Sequence, residues 1–95
     1  GDDLINMKTL AALNGGLICT LCVGETLHQR EVNETDHINE RQLRAGLRGV
    51  TAALLDRLVI AYEPVWAIGT GKTATPADAQ NAHSHIRAVL ADLFG

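Results

Sequence analysis

A single glutamate at the end of a short apolar run is the clearest starting point for chemistry in this chain. Leu58–Tyr62 reads LVIAY, which is short and β-branched enough to predict a buried strand, and Glu63 follows it directly. A carboxylate at the carboxyl end of a buried strand, beside a glycine-containing loop, is typical of sites in α/β sheets and barrels. Partial desolvation there would suit Glu63 to act as a general base.

The residues after Glu63 predict a loop with stiff ends and a permissive centre. Pro64 restricts the first end, Gly69 and Gly71 allow backbone conformations closed to other residues, and Thr75-Pro76 predicts a helix N-cap followed by proline. Such a loop suits a lid that moves on short hinges and excludes water. The predicted lid consists of Pro64, Val65, Trp66, Ala67, Ile68, Gly69, Thr70, Gly71, Lys72, Thr73 and Ala74.

Two other chemistries compete for these residues. Gly71-Lys72-Thr73 has the ending of a phosphate-binding P-loop, which would make the chain a phosphate- or nucleotide-binding module, although Trp66 stands where that motif has its first glycine. Glu25, at the end of an earlier predicted strand, could pair with Glu63 as the acid and nucleophile of a glycosidase. Charge pairing with Lys or Arg is the commoner role for such a glutamate.

Cysteine and histidine spacings do not predict a metal site. Cys19 and Cys22 form a C-x-x-C pattern, but three positions along a strand place the two side chains on opposite faces. His83 and His85 diverge on a helix, and we expect all four histidines to be exposed or partly packed. We therefore expect no metal, and we expect Cys22 to line the pocket near Glu63 without taking part in the chemistry.

Composition favours an ordinary soluble domain or a piece of one, with 46% hydrophobic residues and a net charge of −3. An aromatic content of only 3% and the lack of a basic stripe argue against nucleic acid as a partner. The apolar runs are too short to span a bilayer, and the chain does not open on a charged-then-apolar leader, so we expect no membrane association and a cytoplasmic location.

The order of predicted elements is helix, strand, helix, strand, lid loop and helix, in one α/β unit over residues 1–95. Residues 17–23 are nearly continuously apolar, which predicts a parallel strand covered on both faces. A single helical turn is predicted at residues 26–30. A long helix is predicted over about residues 36–55, with Thr35 as N-cap and with Gly46 and Gly49 inside it for close packing.

The first and last helices have predicted apolar faces. The first helix starts at Asp2-Asp3 and is stopped by Gly15-Gly16 in a left-handed conformation, and the last begins at Pro76 and ends near Phe94. The first face consists of Leu4, Ile5, Met7, Leu10, Ala11 and Leu13, and the last of Ala79, Ala82, Ile86, Val89, Leu90 and Leu93.

Two blocks of this sequence resemble triosephosphate isomerase. AYEPVWAIGTGKTATP (residues 61–76) resembles the sixth strand, catalytic glutamate and lid of that family, and LCVGETLHQRE (residues 21–31) resembles the fifth strand and the turn after it. Both blocks have the order and spacing that the family requires. The resemblance implies parallel βα units forming part of a TIM (β/α)₈ barrel, which takes roughly 250 residues, so we interpret the chain as an internal segment from about the fourth to the sixth helix.

The resemblance also implies a function in glycolysis and gluconeogenesis. Glu63 would move a proton between adjacent carbons of a phosphorylated triose through an enediol, without a cofactor, in an enzyme that is a standard case of acid–base tuning. The backbone N–H of Gly69 would bind the substrate phosphate, and the indole N–H of Trp66 would exchange partners at the positions of Tyr62 and Glu25 as the lid moves. Members of the family are homodimers. Since several of the family's catalytic residues have no match here, we expect the 95 residues alone to be inactive.

Overall fold

The structure is a computed structural model that describes residues 1–67 and 74–95. Four α-helices and two β-strands alternate along these residues, with short 3₁₀ helices at Ala52–Arg57 and Val65–Ala67. In chain order the main elements are α1 (Asp2–Asn14), β1 (Cys19–Val23), α2 (Leu27–Glu31), α3 (Thr35–Gly46), β2 (Leu58–Tyr62) and α4 (Pro76–Phe94). None of the helices in the described ranges combines the length and the apolar character that crossing a membrane requires.

The two strands pair in parallel, as predicted. Cys19 lies opposite Leu58, and Val23 lies opposite Tyr62 at the other end of the ladder. Because parallel strands end at the same edge of a sheet, the residues after β1 and Glu63 after β2 are brought together there.

The hydrophobic core lies between the sheet and the layer formed by α1, α3 and α4. Its buried members are Leu13, Leu21, Val23, Leu43, Leu47, Val50, Ile86 and Val89. The prediction that β1 would be covered on both faces is wrong for these residues, because Thr20 and Cys22 are exposed while Leu21 and Val23 are buried. The described residues supply a helical layer on only one face of the sheet, so alternate side chains of the strand face solvent.

The predicted apolar face of α1 is only partly buried. Leu13 is fully buried in the core and Leu10 packs against it, whereas Leu4, Ile5 and Met7 are 52%, 42% and 66% exposed. Glycine ends the helix as predicted, and the left-handed residue is Gly16, with φ of 81°.

The prediction of one long helix over residues 36–55 is wrong. Helix α3 ends at Gly46, and Gly49 adopts a left-handed conformation with φ of 82°, which a helix cannot contain. Close packing is confirmed at Gly46, where a Cβ atom would lie 3.2 Å from Cδ2 of Leu21. The N-cap of α3 is Glu34 and not Thr35. Even so, Leu43, Leu47 and Val50 are all buried, because the turn after α3 directs the last two back to the core.

Helix α4 has the predicted bounds. The Thr75 hydroxyl accepts from the Asp78 N–H at 3.1 Å, and the Asp78 carboxylate accepts from the Thr75 N–H at 2.9 Å, forming a capping box. Ala82, Ile86 and Val89 are buried as predicted. Leu93 is 36% exposed, contrary to the prediction, and the neighbouring Phe94 packs against the core in its place.

Candidate active site

Glu63 lies at the end of β2 with its backbone fixed and its carboxylate exposed. Its N–H donates a hydrogen bond of 2.7 Å to the carbonyl oxygen of Val23, which continues the strand pairing by one residue. The described residues leave the side chain in solvent. The expected partial desolvation of Glu63 is therefore not supplied by these parts of the chain.

Cys22 lies close enough to Glu63 to be affected by its charge. The pKa of Cys22 is raised by desolvation first and then by interaction with the negatively charged Glu63 carboxylate. Both cysteines are free, with Cys22 exposed and Cys19 packed against the core. A thiol with a raised pKa stays neutral, which agrees with a residue that lines the site without acting as a nucleophile.

Gly24 allows the ends of the two strands to approach closely. A Cβ atom at this position would overlap the carbonyl group of Glu63, with its carbon 2.5 Å away and the nitrogen of Pro64 3.2 Å away. The backbone of Gly24 is in turn held by the side-chain amide of Gln42, which accepts from the Gly24 N–H at 2.8 Å and donates to its carbonyl oxygen at 3.3 Å. The backbone of Glu63 therefore packs against Gly24, and Gly24 is in turn hydrogen-bonded to Gln42 on α3.

Glu25 is fully buried and is surrounded by donors. The Tyr62 hydroxyl donates to its two carboxylate oxygens at 2.5 and 2.9 Å, the Thr35 hydroxyl donates at 3.1 Å and the Arg30 guanidinium at 3.3 Å. Burial, followed by the hydrogen bond to Glu25 and the negative charge of Glu25, raises the pKa of Tyr62 far above its ordinary range. An enclosed carboxylate with three donor side chains cannot reach a sugar, so the geometry argues against the glycosidase alternative.

Arg30 connects the two sides of the predicted lid. Its guanidinium lies 4.9 Å from the centre of the Trp66 ring and forms an ion pair with Asp78, which caps α4 through Thr75. Hydrogen bonds from the Thr75 backbone and side chain, together with the positive charge of Arg30, lower the pKa of Asp78. One side chain therefore contacts both Trp66, near the start of the predicted lid, and the helix that follows the lid.

The described part of the predicted lid begins with a short turn that contains a buried tryptophan. Pro64 begins a 3₁₀ turn at Val65–Ala67, in which the Ala67 N–H donates to the Pro64 carbonyl at 3.0 Å. Trp66 is only 8% exposed, and the chain is described again from Ala74. The predicted lid residues Ile68, Gly69, Thr70, Gly71, Lys72 and Thr73 lie outside the described residues, so the phosphate contact of Gly69 and the partner exchange of Trp66 stay predictions.

The sequence of the whole chain, residues 1–95, matches the family model described as triosephosphate isomerase. The chain belongs to the triosephosphate isomerase family. It is 54% identical over 94 residues to the triosephosphate isomerase of Syntrophotalea carbinolica, which is 99% of this chain and 37% of that protein. The enzyme of Treponema denticola is 55% identical over 94 residues, with 99% of this chain and 38% of that protein covered. The chain therefore spans somewhat more than a third of the length of these relatives.

Membership of the triosephosphate isomerase family establishes the fold as part of a TIM barrel. The parallel βα units of the structure agree with that assignment. The P-loop alternative loses its basis, since Gly71-Lys72-Thr73 belongs to the segment that the family match accounts for. Within residues 1–67 and 74–95, no three His, Cys, Asp or Glu side chains lie close enough together to hold a metal ion.

Sequence reasoning missed four residues that organise this site. Arg30 and Thr35 donate hydrogen bonds to Glu25, and Arg30 also pairs with Asp78 beyond the end of the lid. Gln42 holds the backbone of Gly24. A signal existed for Asp78, because Thr75-Pro76-Ala77-Asp78 has the spacing of a capping box. No sequence pattern indicated the role of Gln42, because its partner Gly24 lies 18 residues away and outside α3.

Proposed function

We propose that this chain carries the catalytic base and the lid of a triosephosphate isomerase that interconverts dihydroxyacetone phosphate and D-glyceraldehyde 3-phosphate. The observation that carries the proposal is the placement of Glu63. In a chain 54% identical to such an enzyme, it is the exposed carboxylate at the end of a parallel strand, with its backbone anchored to the neighbouring strand. A general base needs this combination of an accessible carboxylate and a fixed backbone.

The proposed reaction moves one proton between two carbons of the same molecule. Glu63 accepts the proton from the carbon beside the carbonyl group, the electron pair of that C–H bond forms a C=C bond, and the carbonyl π pair moves onto its oxygen. That oxygen gains a proton as the oxygen on the neighbouring carbon loses one through the enediol, so that the second oxygen becomes the new carbonyl. The acid form of Glu63 returns its proton to the former carbonyl carbon. The substrate and product are isomers, so the step requires no oxidant, reductant or group carrier. The N–H of Gly69 would bind the phosphate as the lid closes over the intermediate.

The rest of the proposed machinery comes from outside these 95 residues, because the chain spans 37% of its relative from Syntrophotalea carbinolica. Our proposal therefore includes a phosphorylated triose as the substrate, a homodimeric whole enzyme, and a cytoplasmic location. It also includes that the 95-residue chain alone has no isomerase activity. Turnover of either triose phosphate by the purified chain would contradict this last part.

A chimeric enzyme tests the role of Glu63. Residues 1–95 would replace the matching segment of the Syntrophotalea carbinolica enzyme, and conversion of both triose phosphates would be followed in each direction. We expect the chimera to be active, and we expect Glu63→Gln and Glu63→Asp each to lower kcat by about 10²- to 10⁴-fold while KM changes little.

Glu31→Gln is the matched control, because Glu31 is an exposed glutamate at the end of α2. It should retain the kcat of the unmodified chimera. Near-normal turnover in both Glu63 variants would show that another group is the base, and an inactive but folded chimera would contradict the proposed function itself.

A further inference from the structure

We propose that Gln42 is a positioning residue that holds Glu63 in place through the backbone of Gly24. The inference rests on the proposed function of Glu63 as the base, and it concerns a residue on α3 that would not touch the substrate. Two links in series carry it: a pair of hydrogen bonds joins the Gln42 amide to Gly24, and a close backbone contact joins Gly24 to the Glu63 peptide.

First, Gln42 forms two hydrogen bonds with the backbone of Gly24. Its carbonyl oxygen accepts from the Gly24 N–H at 2.8 Å and its amide nitrogen donates to the Gly24 carbonyl at 3.3 Å. A primary amide offers a donor and an acceptor side by side at the end of one side chain, which matches the N–H and carbonyl of a single residue. Gly24 follows the last residue of β1, so this side chain extends the order of the strand by one residue.

The second step is the contact of this backbone with Glu63. The Val23 carbonyl accepts from the Glu63 N–H at 2.7 Å, and the Gly24 Cα packs so closely on the Glu63 carbonyl that a Cβ atom would overlap it. The Val23 and Gly24 backbone therefore contacts Glu63 at both its N–H and its carbonyl group. A displacement of Gly24 would be transmitted to the Cα atom from which the Glu63 carboxylate projects.

The third step is that Gln42 is not needed to hold α3 in the fold. It is half-buried and lies outside the hydrophobic core, whereas its neighbour Leu43 is fully buried in that core. Removal of the Gln42 amide should therefore leave the helix packed while it releases Gly24. This separates a positioning role from a purely structural one.

The main test is Gln42→Met in the chimeric enzyme, because methionine keeps the length of the side chain and removes both hydrogen bonds. Since a misplacement of about 1 Å can cost about 100-fold in rate, we expect kcat to fall by about 10- to 100-fold. We expect KM to change by less than about threefold, because the phosphate-binding groups are untouched. Gln42→Glu keeps the acceptor for the Gly24 N–H and should restore part of the lost kcat.

Gln80→Met is the matched control, since Gln80 is an exposed glutamine on α4. It should change neither kcat nor KM. If Gln42→Met lowers kcat no more than Gln80→Met does in an active chimera, Gln42 does not position the base. A rise in KM with an unchanged kcat would likewise overturn the proposal, because it would indicate a role in binding.

A second measurement does not depend on isomerase activity. Hydrogen–deuterium exchange of the Glu63 and Gly24 amides would be followed by NMR on the 95-residue chain, before and after Gln42→Met. We expect exchange at both amides to accelerate by about tenfold, while the amides in the middle of α3 keep their protection. Unchanged exchange at Glu63, or a Glu63 amide that is already unprotected in the native chain, would contradict the positioning role even if the proposed reaction proves wrong.

Discussion

Replacement of Asn39 by leucine should stabilise the chain, because Asn39 is a buried amide that forms no hydrogen bond with the described residues. It lies on α3 and is 0% exposed, and neither its Oδ1 nor its Nδ2 has a hydrogen-bond partner in the described ranges. Leaving a buried polar group unsatisfied costs about 1–3 kcal/mol, whereas an apolar group of the same shape removes this cost. Leucine has the same number of side-chain heavy atoms and the same branching as asparagine, but its methyl groups occupy more volume than the amide, so overpacking at this position would reduce the gain.

The expected gain can be divided into two parts. Removal of the unsatisfied amide contributes about 1–3 kcal/mol. The higher helix propensity of leucine contributes at most about 0.7 kcal/mol, and it would appear at any helical position. Asn81→Leu isolates the second part, because Asn81 is exposed within α4. The difference between the two variants is the contribution of burial.

Urea denaturation of the 95-residue chain, followed by far-UV circular dichroism, measures this difference. With a slope of about 1–3 kcal/mol per molar urea, we expect the midpoint for Asn39→Leu to exceed that for Asn81→Leu by about 1 M. An Asn39→Leu midpoint equal to or below that of Asn81→Leu, at an unchanged slope, would refute the reasoning. It would mean that the buried amide is satisfied or that leucine is strained at this position.

Three further predictions concern the strand ends and the lid. Gly24→Ala should lower kcat of the chimera by about 100-fold, because its Cβ would displace the Glu63 carbonyl; a kcat within twofold of the parent would contradict this. In a Cys19→Ala background, Glu63→Gln should speed alkylation of Cys22 by iodoacetamide near pH 8, because loss of the negative charge lowers the pKa of Cys22; an unchanged rate would count against the contact. The folded-state pKa of Asp78 is lowered, so its stabilising contribution is present above the ordinary value of about 3.9 and is lost as pH falls through the folded-state value. Asp78→Asn should therefore flatten the loss of unfolding free energy below about pH 4, and equal acid sensitivity of both proteins would contradict this.

The sequence predicted the elements that local patterns specify. The bounds of β2 were predicted correctly from LVIAY, because a short apolar run with β-branched residues that ends at Glu63-Pro64 strongly favours a strand. Thr75-Pro76 marked the start of α4 correctly, since an N-cap and a proline at the first helical position both act within a few residues.

The features that were missed depend on contacts between distant residues. The end of α3 at Gly46 was not visible in the apolar spacing, because Leu47 and Val50 reach the core from a turn as well as they would from a helix. Arg30 and Asp78 lie 48 positions apart, and Gln42 and Gly24 lie 18 apart, so no periodicity connects them. The exposed face of β1 was also missed, since apolar sequence alone does not say which layers are present to cover it.

The contacts of Arg30 couple the two attachments of the predicted lid to each other. Arg30 contacts Trp66 near the start of the predicted lid and Asp78 after its end, so one side chain links the two described segments that flank residues 68–73. A change at Arg30 would therefore disturb both attachments of the predicted lid at once, although Arg30 itself lies on α2.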